Sequence, residues 1–229
     1  MTFAEMPYQR PDLAALKADY NAITARLRAA ASYADARAAF LDNDTLERRI
    51  TTQATLASIR HSIDTRDAFY DGEKKFWNAA DPELQACRDE FTAALLESPF
   101  RADFAAEYGD LMFTNAEIAR KAFSPEIVPD LQKENDLAQE YEKLLASAQI
   151  PFEGGVYTLS QLSPCKTDAD DARRLAAWKA EGRWFKENQP KMDEIYDQLV
   201  HLRDGMGKKL GYEGYTTLGY YRMQRNCYT

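Results

Sequence analysis

Apolar residues recur along most of this chain at the three- and four-residue spacing that lines one face of a helix. Leu13, Leu16, Tyr20, Ile23 and Leu27 form the first such stripe, and Pro11-Asp12 supply a helix start ahead of it. The pattern then predicts a shorter helix over Tyr33 to Leu41. A long one follows from an Asp44-Thr45 cap through Leu46, Ile50, Ile59 and Ile63 to a stop at Asp71-Gly72. Leu84, Cys87, Phe91 and Leu95 carry the period onward, with a break or kink expected at Asp81-Pro82. Phe100, Phe104 and Tyr108 mark one short helix and Ala116 to Ala122 another. Ser124-Pro125-Glu126, a cap followed by proline at the tolerated first position, opens the next, which carries Leu131, Leu137, Tyr141, Leu144 and Leu145.

The period changes from about four to two around residue 150. Ile150 to Glu153 and Val156 to Leu159 flank Gly154-Gly155, which reads as a two-residue loop joining a β-hairpin. Pro151 cannot donate a ladder hydrogen bond and keeps its strand at an edge. A lone hairpin is marginal in water, so this one must lean on helices or on a partner. Helical spacing resumes after Thr167-Asp168, where Asp168, Asp170 and Asp171 suit a helix N-terminus and Ala172, Leu175, Ala176 and Trp178 give an apolar side. Met192, Ile195, Leu199, Leu202, Met206 and Leu210 make a last long stripe that Gly211 ends, and Thr216 to Met223 read as one more helix. The fold class is therefore mainly α, a multi-helix array with one small β-hairpin at about residues 150–159. With no repeat and no linker, the organisation is a helical region 1–149, a hairpin and loop 150–165 and a helical region 166–229, or one continuous domain.

Composition narrows the function. No apolar run approaches the roughly 20 residues that span a bilayer, and the N-terminal Met1-Thr2-Phe3-Ala4-Glu5 lacks the basic start and apolar stretch of a secretory signal. A cytoplasmic protein without membrane insertion is expected. Net charge is −8, with Lys and Arg scattered among Asp and Glu, which opposes nucleic-acid binding through phosphate contacts. Cys87, Cys165 and Cys227 are odd in number and far apart, which fits free thiols in a reducing compartment.

Few residues offer chemistry. His201 has Asp197 and Asp204 one helical turn to either side, an arrangement open to general-base work but commoner for a surface or groove histidine beside carboxylates. His61 lies next to Arg60 and near Asp64, a weaker case. Two histidines without an i, i+4 relation make no metal site, and Asp168-Ala169-Asp170-Asp171 lacks the length and central glycine of a calcium loop. Cys165 follows Pro164 with no histidine near it in sequence, so a plain thiol is the expected reading. Gly205-Met206-Gly207-Lys208-Lys209 lacks phosphate-loop spacing and continues a helical stripe. The tail holds Tyr212, Tyr215, Tyr220, Tyr221 and Tyr228 with Arg222 and Arg225, groups that grip peptides or that pack a helix with snorkelling edges. No catalytic residue and no metal ligand is assigned.

Three segments carry a family resemblance: Pro7-Tyr8-Gln9-Arg10-Pro11-Asp12, Phe152-Glu153-Gly154 with Tyr157-Thr158-Leu159-Ser160-Gln161-Leu162, and Gly211-Tyr212 through Tyr220, Arg222, Met223 and Arg225. In order and spacing they resemble the N-terminal part of the oligoendopeptidase F family, relatives of thimet oligopeptidase. The resemblance implies a mostly helical, clefted zinc hydrolase that cuts short peptides in the cytoplasm, with zinc held by an H-E-x-x-H helix and a later glutamate. None of those positions occurs in this sequence, whose only histidines are His61 and His201. The chain is thus expected to be an N-terminal fragment that forms one wall of a peptide channel, inactive alone, without a cofactor, its zinc and catalytic half belonging to the full-length enzyme. Tyr157, Tyr215, Tyr220, Arg222 and Arg225 are its possible peptide-channel residues, and the hairpin edge is a candidate for pairing with extended peptide backbone. The alternative is a free-standing α-helical protein-interaction module.

Overall fold

Asp12 turns the chain into its first helix: its side chain accepts the Ala14 and Ala15 N–H groups at 2.8 and 3.1 Å. The structure, a computed structural model, describes residues 2–225, so Cys227 and Tyr228 lie outside the described residues. In chain order the helices are α1 (Leu13–Arg28), α2 (Tyr33–Ile63), α3 (Ala68–Leu96), α4 (Arg101–Tyr108), α5 (Leu111–Lys121) and α6 (Val128–Ala146). The hairpin strands β1 (Ile150–Phe152) and β2 (Gly155–Tyr157) follow, then α7 (Leu159–Leu162), α8 (Asp171–Lys209) and α9 (Tyr215–Arg222). The mainly α class with a single small hairpin is what the described residues show. No described helix is long and apolar enough to cross a membrane.

Four buried clusters hold these elements. Leu16 and Tyr20 of α1 meet Leu46, Ile50 and Ala57 of α2 and Trp77 and Leu84 of α3. At the other end of α1 and α3, Leu27, Phe91 and Leu95 pack with Ala36 and Ala39 of α2, Phe104 of α4 and Phe113 of α5. The hairpin leans on helices: Ile150 and Phe152 are buried with Leu162, Cys165, Ala177, Ala180 and Trp184. Met206 of α8, Leu218 of α9 and Ile127 form the fourth cluster.

Several junctions differ from the sequence pattern. The two helices expected on either side of Asp44-Thr45 are one, α2, capped by Ser32. Both polar side chains are satisfied within the continuing helix, Thr45 Oγ1 by the Leu41 carbonyl at 2.9 Å and Asp44 by Arg48 at 2.8 Å. The stop comes at Asp64, not Asp71-Gly72, and Asp67 caps α3. Asp71 is instead drawn to Lys143 and Lys75. Helix α3 does not break at Pro82. Proline leaves the Asn78 carbonyl without its helical donor, and Asn135 Nδ2 of α6 supplies one at 3.1 Å.

Similarly, α8 runs unbroken through Pro190 where two helices were expected. The hairpin loop is Glu153-Gly154, one residue earlier than expected, since Phe152 pairs with Gly155. Both loop residues have positive φ, 48° and 79°, the geometry that matches strand twist in a two-residue hairpin. Gly211, at φ 82°, ends α8 in a Schellman motif: Gly211 N–H bonds the Lys208 carbonyl and Tyr212 N–H that of Gly207.

Candidate functional site

Two candidate residues of the tail, Tyr215 and Arg222, gather around a buried carboxylate. Glu134 sits on α6 and is 4% exposed. Arg222 of α9 grips it with both guanidinium nitrogens, Nη1 to Oε1 at 3.1 Å and Nη2 to Oε2 at 2.8 Å, while Arg203 Nε of α8 reaches Oε1 at 2.6 Å. Burial pushes the Glu134 carboxyl up, but the hydrogen bonds and charge of Arg222 and Arg203 prevail and hold it below its ordinary range. Three helices are thereby tied at one point. Arg222 Nη1 also donates to the Tyr215 hydroxyl at 3.3 Å, and the Tyr215 ring stands 5.7 Å from the Arg203 guanidinium.

Tyr220 and Arg225 form a second unit, the guanidinium stacked 4.0 Å over the ring. Beside Arg222 opens a cavity of about 330 Å³ between α3, α5, α6 and α9, lined among others by Pro82, Phe123, Asn135, Tyr221 and Arg222. Tyr157 is placed elsewhere, its ring 5.9 Å from Phe152 in the hairpin cluster. The structure thus brings Tyr215 and Arg222 into one network, sets Tyr220 and Arg225 next to each other on the same segment, and leaves Tyr157 with the hairpin. With two strands in the sheet, one edge of each strand is unpaired among the described residues.

The opening segment is a fastening of the same kind. Tyr8 donates to Glu73, which is 3% exposed, and Arg10 holds both oxygens of that carboxylate through contacts of 2.6–3.2 Å. The Arg10 hydrogen bond, against the cost of burial, keeps the Glu73 carboxyl low. Glu73 and Glu134 were not singled out in sequence, although each interrupts an apolar stripe: Glu73 between Tyr70 and Trp77, Glu134 between Leu131 and Leu137. An acidic residue on an apolar face was the available signal.

The histidines divide. His201 is exposed, its Nδ1 3.4 Å from Asp197. His61 is fully buried, and its setting defines its charge. Asn78 Nδ2 donates to Gln139 Oε1 at 2.8 Å, which turns the Gln139 amide nitrogen toward Asp71 at 3.0 Å and His61 Nε2 at 3.4 Å. His61 Nε2 also lies 3.5 Å from Asp71, and burial pushes the ring's pKa down, which favours its neutral form. Asp71, hydrogen-bonded to Lys143 and Lys75, is held down to about 2. Among the described residues no three His, Cys, Asp or Glu are grouped to hold a metal ion, and lysines crowd the His61–Asp71 contact, so the residues present do not fit a zinc site. Cys165 is buried, with Arg173 Nη2 at 3.6 Å from its sulfur.

Comparison with known proteins places this geometry. A family model described as the Peptidase M3 N-terminal domain matches residues 3–123. Three solved structures are similar over the whole chain: an oligoendopeptidase F at 42% identity and TM-score 0.97, PZ peptidase A with an inhibitor at 38% and 0.96, and an oligoendopeptidase F from Bacillus anthracis str. Ames at 37% and 0.96. Each covers 100% of this chain, which in turn spans 40%, 41% and 42% of their lengths. No curated protein matches the chain.

Proposed function

This chain belongs to the Peptidase M3 family, corresponding to an N-terminal portion of oligoendopeptidase F proteins, and from that premise we propose that it builds one wall of the peptide channel of a zinc-dependent oligoendopeptidase. Likeness over the full chain to peptidases two and a half times its length carries this reading. The described residues fit no zinc site, so the zinc, the activated water and the cleavage of short peptides belong to a complete enzyme, and this chain alone is inactive.

Within the wall, the Tyr220–Arg225 stack offers a flat aromatic face and a planar donor to peptide carbonyls or to a terminal carboxylate. Tyr215 and Arg222 act through Glu134 by fixing α9 to α6 and α8. Tyr157 and the free hairpin edge offer backbone pairing at a second place. The cytoplasm is the proposed compartment. The free-standing interaction module loses ground, because likeness to the oligoendopeptidases extends over all of α1 to α9.

The test is cleavage of an internally quenched peptide. The 229-residue chain is expected to show none, with or without added zinc, whereas the chain fused to the remaining portion of the 42%-identical oligoendopeptidase F is expected to cleave and to stop on chelation. Chelator-sensitive turnover by the 229 residues alone would sink the proposal.

A further inference from the structure

The cavity beside Arg222 is walled by two ion clusters, and neither is balanced. On one side Glu134 faces two guanidiniums, those of Arg222 and Arg203, so a positive charge is left over. On the other, Arg88 is shared by two carboxylates, with Nη1 on Asp81 at 2.8 Å and Nε on Glu47 at 3.0 Å, so a negative charge is left over. Asp81 and Arg222 both line the cavity, whose volume is about 330 Å³. It therefore has a negative pole on α3 and a positive pole on α9.

Both poles have hydrogen-bonding capacity to spare. Glu134 takes two of the Arg222 donors and Tyr215 a third, which leaves the Nε–H and one Nη2 hydrogen without a partner among the described residues. These two share one edge of the planar guanidinium, and such an edge grips a carboxylate bidentately. Asp81 uses Oδ1 on Arg88, whereas its Oδ2 has no partner among the described residues and the side chain is 55% exposed.

Between the poles the lining changes character. Pro82, Phe123 and Leu131 are apolar, and Gln85 brings an uncharged amide. Apolar walls with a few convergent polar groups are the usual make-up of a small-molecule site, and the volume lies at the low end of the roughly 300–1,000 Å³ such sites span. A ligand the size of one or two amino acids fits, and a longer peptide does not.

We propose that this cavity binds a small zwitterion with an apolar side chain, a free α-amino acid or a dipeptide, its carboxylate on the open edge of Arg222 and its ammonium on Asp81. An ion of one sign satisfies only one pole, and an uncharged ligand satisfies neither. On the peptidase reading such a ligand is a product of peptide cleavage, but the binding belongs to these 229 residues and does not depend on that reading.

The test is titration of the 229-residue chain followed by NMR of its backbone amides. The probes are L-leucine, L-alanyl-L-leucine, N-acetyl-L-leucine, which lacks the ammonium, and L-leucinamide, which lacks the carboxylate. At least one zwitterion is expected to saturate at millimolar concentration or below and to shift Gln85 and Tyr221. Each singly charged probe should bind roughly tenfold or more weakly, the loss of one hydrogen bond to a charged group. Tighter leucine identifies the ligand as the free amino acid, and tighter alanyl-leucine identifies it as the dipeptide. Asp81→Asn, which leaves Arg88 paired with Glu47, should weaken both zwitterions and leucinamide and spare N-acetyl-leucine. Because Arg222 also seats α9, the other end is tested without touching it: Ala119→Trp fills the cavity from α5, keeps both ion clusters and should abolish binding of every probe.

No saturable shift with either zwitterion overturns the proposal, as does a singly charged probe that binds as tightly as leucine. Shifts confined to residues away from the cavity, or zwitterion affinity unchanged by Asp81→Asn, overturn it too. None of these results bears on the peptidase reading, whose own test is cleavage by a complete enzyme.

Discussion

Two buried carboxylates, Glu73 and Glu134, do at the residue scale what the exposed ion pairs cannot. Surface pairs contribute little because water screens them, whereas removing one member of a buried cluster strands its partners. Glu134→Ala leaves Arg222 and Arg203 facing an empty site. Since both guanidiniums keep about a third of their exposure, the loss is expected at roughly 2 kcal/mol, below the 3–5 typical of fully buried pairs, and urea denaturation at pH 7 measures it. The pH dependence has a definite sign. The folded carboxyl titrates below its ordinary 4.5, so its contribution is complete above that value and disappears as pH falls through the folded pKa. The gap between wild type and Glu134→Gln should therefore close below pH 4.5. His61 acts at a different pH. Its folded pKa is depressed from 6.5 by burial, so its contribution is present above pH 6.5 and is lost as pH falls below it. The wild-type urea midpoint should drop between pH 7.5 and 5.5 more than that of His61→Gln, and parallel curves would show that the ring does not resist protonation.

At the scale of elements, helix existence was legible, and so were the ends marked by Asp12 and Gly211, whereas the junctions at Asp44-Thr45 and Asp71-Gly72 were not. Stripes such as Leu13 to Leu27 mark their helices because burial of one face imposes the period. Caps are ambiguous, since Asp and Thr satisfy themselves equally well inside a helix, as Asp44 does with Arg48 and Thr45 with the Leu41 carbonyl. The same limit hid the candidate site. The aromatic and arginine content of the tail was visible, but Glu134, which organises it, lies 88 residues before Arg222, and no local pattern links the two. Pro82 shows the ambiguity in energetic form. It deprives the Asn78 carbonyl of a donor, and Asn135 replaces that donor from another helix. Asn135→Ala should cost about 1 kcal/mol in the wild type, the penalty for a buried group left unpaired. In a Pro82→Ala background the helix supplies its own N–H and the cost should fall toward zero. A double-mutant cycle reads the coupling, and additivity would mean that Asn135 does not compensate the proline.

For the molecule as a whole, the placement of α9 decides whether Tyr220 and Arg225 face a channel at all, and that placement depends on two helices meeting without a side chain between them. At Gly207 of α8 an added Cβ would lie 2.6 Å from the Gly214 carbonyl carbon and 3.0 Å from Tyr215 N, at the start of α9. Those neighbours are backbone and cannot swing aside, so Gly207→Ala must displace α9 from Met206, Ile127 and Glu134 together. Gly205, two residues away on the same helix, has nothing within 4 Å of its Cβ. Both substitutions gain the helix propensity of alanine, up to about 1 kcal/mol, and only one meets a clash of the kind that costs roughly 1–3 kcal/mol. Gly205→Ala is therefore expected to raise the melting temperature and Gly207→Ala to lower it, with trypsin cutting faster after Arg222 and Arg225 in the second variant alone. Equal stabilisation by both would show that α9 is not seated through Gly207, and with it would go the geometric link between the Glu134 network and the Tyr220–Arg225 face.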